Sequence, residues 1–299
     1  MNSSKQHQIN GVDLLLILTV TLSWGMNYPV MKYVVMQFPP VSFRAITFVL
    51  GTVCIGLYAW YQKASLFVPR GERRQTLLLS IPNMVLWHLG LLHGLTLLNS
   101  GRTAIIGYTM PVWALLASVL FFSEKLTSRA VLAVACSLTA TLLLGWHELS
   151  RFAGQPLGLV YTFGAAIAWG IGNAMMKNAK LSISSLNLTF WSLLSGTVFL
   201  TLFAVVFEID RWRWPNWTEW LAIAYGGIIT FAVSYVAWFQ VARKLSPVAS
   251  GLSIMLVPVV GLAGGALVLG EDIVREDIFA LGFILLAMAL ALMPRKSMK

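Results

Sequence analysis

Charged residues are scarce in this chain. Of its 299 residues, 11% are Asp, Glu, Lys or Arg and 58% are hydrophobic, with a mean hydropathy of +0.77. Soluble domains carry about 25% charged residues, so this chain lacks the polar surface that a soluble fold of its length needs. Lipid is the alternative solvent, and about 20 apolar residues cross the hydrocarbon once. The composition excludes a soluble enzyme and predicts an all-α integral membrane protein.

Cysteine and buried acidic residues are also missing. Cys54 and Cys136 lie inside apolar runs, and two such cysteines make neither a disulfide framework nor a thiolate metal site. The acidic residues nearest the apolar runs stand at their ends: Asp13, Glu124, Glu208 and Glu271. Glu124 and Glu271 are expected to cap or join helices at the membrane interfaces. Charges at the membrane midplane usually mark ion or proton pathways. We therefore expect no carboxylate proton relay, no site for a strongly cationic drug, no metal and no cofactor.

Ten apolar runs separated by polar breaks predict ten transmembrane helices. Their extents are 13–33, 41–61, 76–97, 102–122, 128–146, 156–176, 184–207, 218–241, 248–269 and 277–293. With the N-terminus inside, 14 of the 21 Lys and Arg residues fall on the cytoplasmic side. Six fall outside: Lys32, Arg102, Arg151, Arg211, Arg213 and Arg275. By the positive-inside rule, both termini are expected in the cytoplasm. The charge of +10 then reflects membrane insertion and contact with lipids, and nucleic acid is not an expected partner.

The sequence repeats itself. Trp24-Gly25 and Met31-Lys32 recur 145 residues later as Trp169-Gly170 and Met176-Lys177, and Pro111 and Glu124 recur 147 residues later as Pro258 and Glu271. Because each half holds five predicted helices, an odd number, the halves 1–150 and 151–299 should cross the membrane in opposite senses. Inverted repeats are common among secondary transporters, whose substrate sites lie near the midplane where the halves meet.

These motifs, with Arg44 at the start of the second predicted helix, carry a family resemblance over essentially the whole chain. The chain resembles the drug/metabolite transporter superfamily in its ten-helix, EamA-type branch, and within that branch the YddG-type exporters of aromatic amino acids. The resemblance implies a multi-pass transporter of the bacterial inner membrane that exports small molecules. One departure is that Thr189 occupies the position equivalent to Arg44 in the second half, so the arginine has no symmetric mate.

Prolines and tryptophans at matched depths are the first candidate site residues. Pro111 and Pro258 should interrupt their helices, since proline removes a backbone hydrogen bond, and the freed carbonyls could accept a substrate ammonium group. Interrupted backbone at this depth is tolerated where it faces protein or a cavity. Trp24 and Trp169 are central in their helices, and we predict that they flank one aromatic box. One helical turn later stand Tyr28 and Asn173.

Further candidates come from matched faces of the repeat. His88 aligns with Tyr235, Leu91 with Trp238, and Tyr108 with Met255. Asn27 adds a polar group in apolar surroundings. The predicted substrate-binding set is Trp24, Asn27, Tyr28, His88, Tyr108, Pro111, Trp169, Asn173, Tyr235, Trp238, Met255 and Pro258. For several members, above all His88, Asn27 and Asn173, hydrogen bonding between helices is an equally simple interpretation.

The favoured function is export of neutral or zwitterionic metabolites, most plausibly aromatic and other bulky amino acids, by alternating access. Carriage of an anionic metabolite such as a nucleotide sugar would need basic residues in the cavity, and Arg44, near one end, is the single candidate. A carrier of cationic drugs and a passive channel are further alternatives. Catalysis is not expected, because His88 and His93 lack the glutamate and spacing of a zinc protease motif.

Overall fold

The computed structural model describes residues 11–123, 126–150, 155–244 and 254–292. Throughout these ranges the regular structure is helical, without a β-strand. Seven helical segments are long and apolar enough to cross a membrane: Gly11–Val35, Pro40–Tyr61, Arg70–Leu97, Ser100–Phe122, Pro156–Asn178, Ser185–Phe207 and Trp217–Trp238. Shorter apolar helices stand where the remaining spans were predicted. The chain is therefore an all-α membrane protein, as its composition predicts.

The helices of the first half lie close to the predicted runs. They are α1 (Gly11–Val35), α2 (Pro40–Tyr61), α3 (Arg73–Ser80), α4 (Trp87–Leu97), α5 (Ser100–Gly107), α6 (Met110–Phe122) and α7 (Ser128–Ser150). A π-helical segment, Ile81–Leu86, joins α3 to α4, so that together they form one span. Likewise, α5 and α6 form one interrupted span.

The second half, within the described residues, follows the order of elements of the first, and its stretch equivalent to α5 falls mainly outside those residues. Its helices are α8 (Pro156–Asn178), α9 (Ser185–Phe207), α10 (Trp217–Ala224), α11 (Ser234–Lys244), α12 (Val257–Leu269) and α13 (Arg275–Leu292). A second π-helical segment, Tyr225–Val233, joins α10 to α11. Its C-terminal part stands 147 residues after the first π segment. Each half therefore has a π-helical segment in the equivalent span and at an equivalent depth.

Prolines set two of the helix boundaries. The helical pattern is interrupted at Tyr108 and Thr109, before Pro111, and at Leu256, before Pro258. Proline cannot donate to the preceding turn but is well placed in the first turn of a new helix, which is where both prolines lie. The predicted interruptions at Pro111 and Pro258 are confirmed. Pro29, in contrast, lies inside an uninterrupted α1.

Two bundles of helices face each other across the molecule. The α1 bundle consists of α1 packed against α11 and α12, and the α8 bundle consists of α8 packed against α4, α5 and α6. The helices α2 and α9 pack against each other, as do α7 and α13. The bundles also meet directly, because α12 packs against α5. A space between them is therefore bounded by both halves of the chain.

The Trp-Gly motifs place a glycine at a close helix crossing in each bundle. A Cβ atom at Gly25 would lie 2.5 Å from the Cβ atom of Val260, and one at Gly170 would lie 2.4 Å from the Cβ atom of Trp113. Val260 and Trp113 are themselves 147 residues apart. Small residues at helix interfaces let backbones approach, so each glycine fixes how close its first helix lies to its neighbour, and hence where the adjacent tryptophan stands.

The two ends of the molecule differ in character. The belt end, where residues 212–220 lie, exposes Trp214 and Trp217, as expected of tryptophans at a membrane interface. At the opposite end, the strap, residues 62–72, is bonded to the second half. The Asn187 side chain donates to the carbonyls of Ser65 (3.0 Å) and Phe67 (2.9 Å), and the Trp191 indole donates to that of Leu66 (2.8 Å).

Candidate functional site

A cavity of about 90 Å³ lies between the α1 and α8 bundles. Its lining comes from both: Trp24, Asn27, Tyr28, Met31, Trp87, His88, Leu91, Tyr108, Met110, Trp169, Thr230, Phe231 and Tyr235. Small-molecule sites typically measure about 300–1,000 Å³. The space between the bundles is thus nearly closed in this structure, and a metabolite-sized ligand needs them to move apart.

Aromatic rings make up most of the cavity wall, and they contact one another on both of its sides. On the α1 side, the Trp24 ring lies 5.8 Å from that of Tyr235, edge to face, and 5.9 Å from that of Trp238. On the α8 side, the Trp169 ring lies 5.1 Å from that of Trp87. Such aromatic pairs contribute about 0.5–1.5 kcal/mol beyond the area they bury. The rings therefore hold one another in place and leave flat apolar faces around the cavity.

The polar groups of the wall are few and mostly occupied. The Asn27 side chain accepts a hydrogen bond from the Thr230 hydroxyl (3.3 Å) and donates weakly to the Met31 sulfur (3.5 Å). The Trp24 indole donates to the Thr230 carbonyl over 3.3 Å. A neighbouring hydrogen bond, within the α1 bundle, joins the hydroxyls of Ser23 and Ser234, 2.5 Å apart. Asn27 thus bonds between helices, the interpretation that the sequence left open beside substrate binding.

His88 is buried against aromatic rings. Its ring lies 4.8 Å from that of Phe48 and 5.8 Å from that of Phe231, both edge to face, and its buried Nδ1 atom has no hydrogen-bond partner in the part of the chain that the structure describes. Arg44 is fully buried next to the same phenylalanines, its guanidinium carbon 5.3 Å from the centre of the Phe231 ring. Arg44, which the sequence places near one end of the second helix, is therefore separated from the cavity by a single layer of side chains.

Seven of the twelve predicted site residues line the cavity: Trp24, Asn27, Tyr28, His88, Tyr108, Trp169 and Tyr235. Trp238 stands behind the Trp24 ring. Pro111 and Pro258 shape the adjoining helix starts, Met255 packs at the edge of the hydrophobic core, and Asn173 is half-buried on α8. Trp24 and Trp169 both line this cavity, while the aromatic box that they were predicted to flank, and a binding role for all twelve residues, stay predictions.

Six lining residues are not in the predicted set: Met31, Trp87, Leu91, Met110, Thr230 and Phe231. Met31 and Leu91 take part in the repeat matches, so that signal could have found them. Trp87 adjoins His88 in the sequence. Thr230 and Phe231 lie within the π segment Tyr225–Val233, where the helical periodicity changes. Phe231 lies one helical turn before Tyr235, and their rings are 6.2 Å apart, so the spacing from Tyr235 could have found it.

A carboxylate and an ammonium group join the two bundles at the belt end of the molecule. Glu271 accepts hydrogen bonds from the Ser100 backbone (2.7 Å) and hydroxyl (2.8 Å), so that it caps α5 across the gap between the bundles. The Lys32 ammonium group donates to the Leu95 carbonyl over 2.7 Å, joining α1 to α4. Glu271 caps a helix at an interface, as its position predicts. Its repeat mate, Glu124, lies outside the described residues.

Comparison with known proteins decides the family. The model of the EamA-like transporter family matches residues 12–146 and again residues 156–293. The chain belongs to the EamA-like transporter family. The double match spans nearly the whole chain and falls on the two stretches that carry the repeated motifs. The resemblance based on the Trp-Gly and Pro…Glu helices is thereby confirmed at the level of the family, and the chain is a membrane transporter.

Individual relatives are more distant. The uncharacterized transporter YoaV of Bacillus subtilis is 27% identical over 87% of this chain and 89% of its own length. A probable amino-acid metabolite efflux pump of Escherichia coli is 23% identical, with 87% of each chain covered. A crystal structure of another protein matches with a TM-score of 0.66 at 18% identity, covering 95% of this chain and 96% of that one, a likeness that extends to the fold. A specific kinship with YddG-type exporters stays a prediction.

Proposed function

We propose that this transporter exports small zwitterionic metabolites, chiefly aromatic and other bulky amino acids, from a cavity between its two bundles. The observation that carries this proposal is the ring-lined wall built by Trp24, Trp87, Trp169 and Tyr235. Flat, rigid and mostly apolar faces suit a flat hydrophobic side chain. Among the relatives, two proteins, from Escherichia coli and Salmonella typhimurium, carry the name of probable amino-acid metabolite efflux pumps, which agrees with this substrate class.

Alternating access is the mechanism that suits this arrangement. The cavity is too small for an amino acid while the bundles are closed, so binding requires the α1 and α8 bundles to rock apart at one end. Lys32 and Glu271 bridge the bundles at the belt end, and releasing these bonds would open that end. By the sequence repeat, Lys177 and Glu124 would make the corresponding bridge at the strap end. Inverted repeats commonly work in this way.

Orientation is inferred from charge. In our proposal the termini face the cytoplasm of a bacterial cell, the protein lies in the inner membrane, and the halves 1–150 and 151–299 cross it in opposite senses. The strap carries Lys63 and Arg70, and Arg73 comes directly after it, as the positive-inside rule requires of a cytoplasmic segment. The exposed tryptophans of the belt end would then mark the outer interface. The chain acts as a carrier and has no catalytic role.

Transport by purified protein in lipid vesicles tests the substrate class. Counterflow of labelled phenylalanine, challenged with each of the twenty amino acids and with several quaternary amines, should show saturation and a preference for aromatic and bulky side chains. Trp24→Leu and Trp169→Leu keep apolar bulk but remove the flat indole. Since one aromatic contact is worth about 0.5–1.5 kcal/mol, we expect phenylalanine transport to fall a few-fold to tenfold, and threonine transport to fall less.

The matched control is Trp146→Leu, because Trp146 is 75% exposed near the end of α7. This variant should transport like the wild type. An equal loss for all substrates at Trp24 and Trp169, together with poor folding, would instead mean that the two rings only pack the bundles. Flux that is linear in concentration and shows no counterflow would identify a channel.

A further inference from the structure

Arg44 is a buried cation whose hydrogen-bonding capacity is largely unmet. Its side chain is 0% exposed, and its Nε and Nη1 atoms have no hydrogen-bond partner among the described residues. Its Nη2 atom contacts the Met31 sulfur, which is a weak acceptor. The guanidinium is otherwise surrounded by rings, with its central carbon 5.6 Å from Phe43, 5.9 Å from Phe48 and 5.3 Å from Phe231.

Fold stability alone gives no reason to keep an arginine at this position. A buried charge is costly unless it is paired and its hydrogen bonds are satisfied, and apolar replacements of buried charges are often neutral or stabilising. Ring faces offset part of this cost through cation–π attraction, yet they leave two donor atoms unmet. Arg102 provides the contrast, because it is buried but bonded to Asp277 over 2.8 Å.

Arg44 is separated from the cavity by side chains that can move. Met31 and Phe231, which touch it, are both lining residues. Methionine is flexible and adapts its shape to its surroundings. Withdrawal of the Met31 thioether would turn the unmet face of the guanidinium toward the cavity. None of the lining residues is Asp or Glu, so the lining would offer a substrate a cation but no acidic counterpart.

We propose that Arg44 binds the carboxylate of the transported molecule, and that the site recognises this carboxylate rather than the ammonium group. The inference rests on the proposed function and specifies what the site recognises in the substrate: an aromatic side chain and a carboxylate, with or without an ammonium group. A guanidinium presents a rigid fork of donors that matches a carboxylate. An aromatic 2-oxo acid such as phenylpyruvate should therefore bind as well as phenylalanine. Phenylalanine amide and phenethylamine, which lack the carboxylate, should bind at least about tenfold more weakly, since hydrogen bonds between charged groups are the strong ones.

Ligand-induced thermal stabilisation of the purified full-length protein in detergent tests these four compounds directly. Stabilisation measures binding to the folded state and does not require transport. For the wild type we expect stabilisation by phenylalanine and phenylpyruvate with similar half-saturating concentrations, and little by the amide or the amine.

Three variants separate binding from folding. Arg44→Met should keep or raise the melting temperature and lose stabilisation by both carboxylates, with Kd raised at least about tenfold. Arg44→Lys keeps the charge without the fork and should bind with intermediate affinity. Arg102→Met is the matched control: because it leaves Asp277 without its arginine, the melting temperature should fall while Kd for phenylalanine stays unchanged.

The outcomes distinguish this inference from the function on which it rests. If phenethylamine and phenylalanine amide stabilise the wild type as well as phenylalanine does, Arg44 is not a carboxylate site, although aromatic transport stands. A Kd for phenylalanine that is unchanged in Arg44→Met would also show that Arg44 is not a carboxylate site. If none of the four compounds binds the wild type, the aromatic substrate class itself is wrong, and this inference falls with it. Should Arg44→Met fail to fold, Arg44→Lys and the wild-type comparison decide.

Discussion

Adding one methyl group to Gly170 should separate α8 from α6 and disturb the cavity. A Cβ atom at this position would lie 2.4 Å from the Cβ atom of Trp113, 2.7 Å from the Ala114 nitrogen and 2.8 Å from the Trp113 carbonyl carbon. Two of these three atoms belong to the backbone, so no side-chain rotation relieves the overlap. The helices must part by about 1 Å to restore ordinary contact distances of about 3.5–4 Å.

The expected magnitude depends on two opposing terms. Overpacking of a well-packed interior costs about 1–3 kcal/mol, while replacing a glycine inside a helix by alanine gains about 0.5–1 kcal/mol. Gly170→Ala should therefore destabilise the protein by about 0.5–2 kcal/mol. Gly164 lies on the same helix, and a Cβ atom there would meet nothing within 4 Å. Gly164→Ala should accordingly change stability in the opposite direction, by about 0.5–1 kcal/mol.

Unfolding of both variants in mixed micelles, followed by tryptophan fluorescence and combined with counterflow, checks this prediction. Gly170→Ala should also transport more slowly, because Trp169 adjoins the displaced backbone and its ring contacts Trp87. Gly164→Ala should transport normally. If Gly170→Ala is as stable and as active as Gly164→Ala, the Trp-Gly glycine does not set the helix spacing, and the structural role assigned to the repeated motif is refuted.

Three further predictions concern the membrane topology, the bridge made by Glu271 at the belt end, and His88. Cysteines at Lys63 and Asp210, exposed positions that follow the second long helix of each half, should react with a membrane-impermeant reagent from opposite sides of the membrane, Asp210 from outside. Labelling of both from one side would remove the inverted repeat. Glu271→Gln weakens the charge-assisted hydrogen bonds to Ser100 by about 1–1.5 kcal/mol. A cysteine introduced at Leu91 in this variant should then react with the reagent from the belt end about ten times faster. An unchanged rate would exclude gating by this carboxylate. His88→Gln should alter the transport rate or its pH profile, and a wild-type profile would assign His88 to packing alone.

Many features of the fold can be predicted from local signals in the sequence. Apolar runs bounded by polar breaks locate the spans within a few residues, since membrane helices must satisfy their backbone internally. Pro111 and Pro258 correctly indicate helix interruptions, because the lost hydrogen bond is a property of the residue itself. Glu271 correctly indicates an interfacial cap. Each of these features depends on residues near in sequence, so a single chain suffices to predict it.

The cavity was harder to predict, because it depends on which helix face points inward. The π segments Ile81–Leu86 and Tyr225–Val233 add residues to a turn and rotate the subsequent part of the helix relative to the part before it. The spacing of apolar residues in these spans does not indicate the change. The burial of Arg44 likewise results from α1 and Phe231 closing over it, a tertiary arrangement that the sequence around residue 44 does not contain.

The helix packing of this transporter is similar in its two halves, whereas the side chains that line the cavity differ between them. Gly25 and Gly170 make equivalent close crossings, with Val260 and Trp113 as partners at a fixed offset, which is the symmetry that the proposed alternating access would use. Arg44 has Thr189 as its counterpart, and the lining residue His88 has Tyr235. If both bundles carried the same polar groups, a substrate could bind in two opposite orientations with equal affinity. With one arginine, as we propose, a substrate carboxylate would bind at one position, and the aromatic ring would contact the indoles of Trp24 and Trp169.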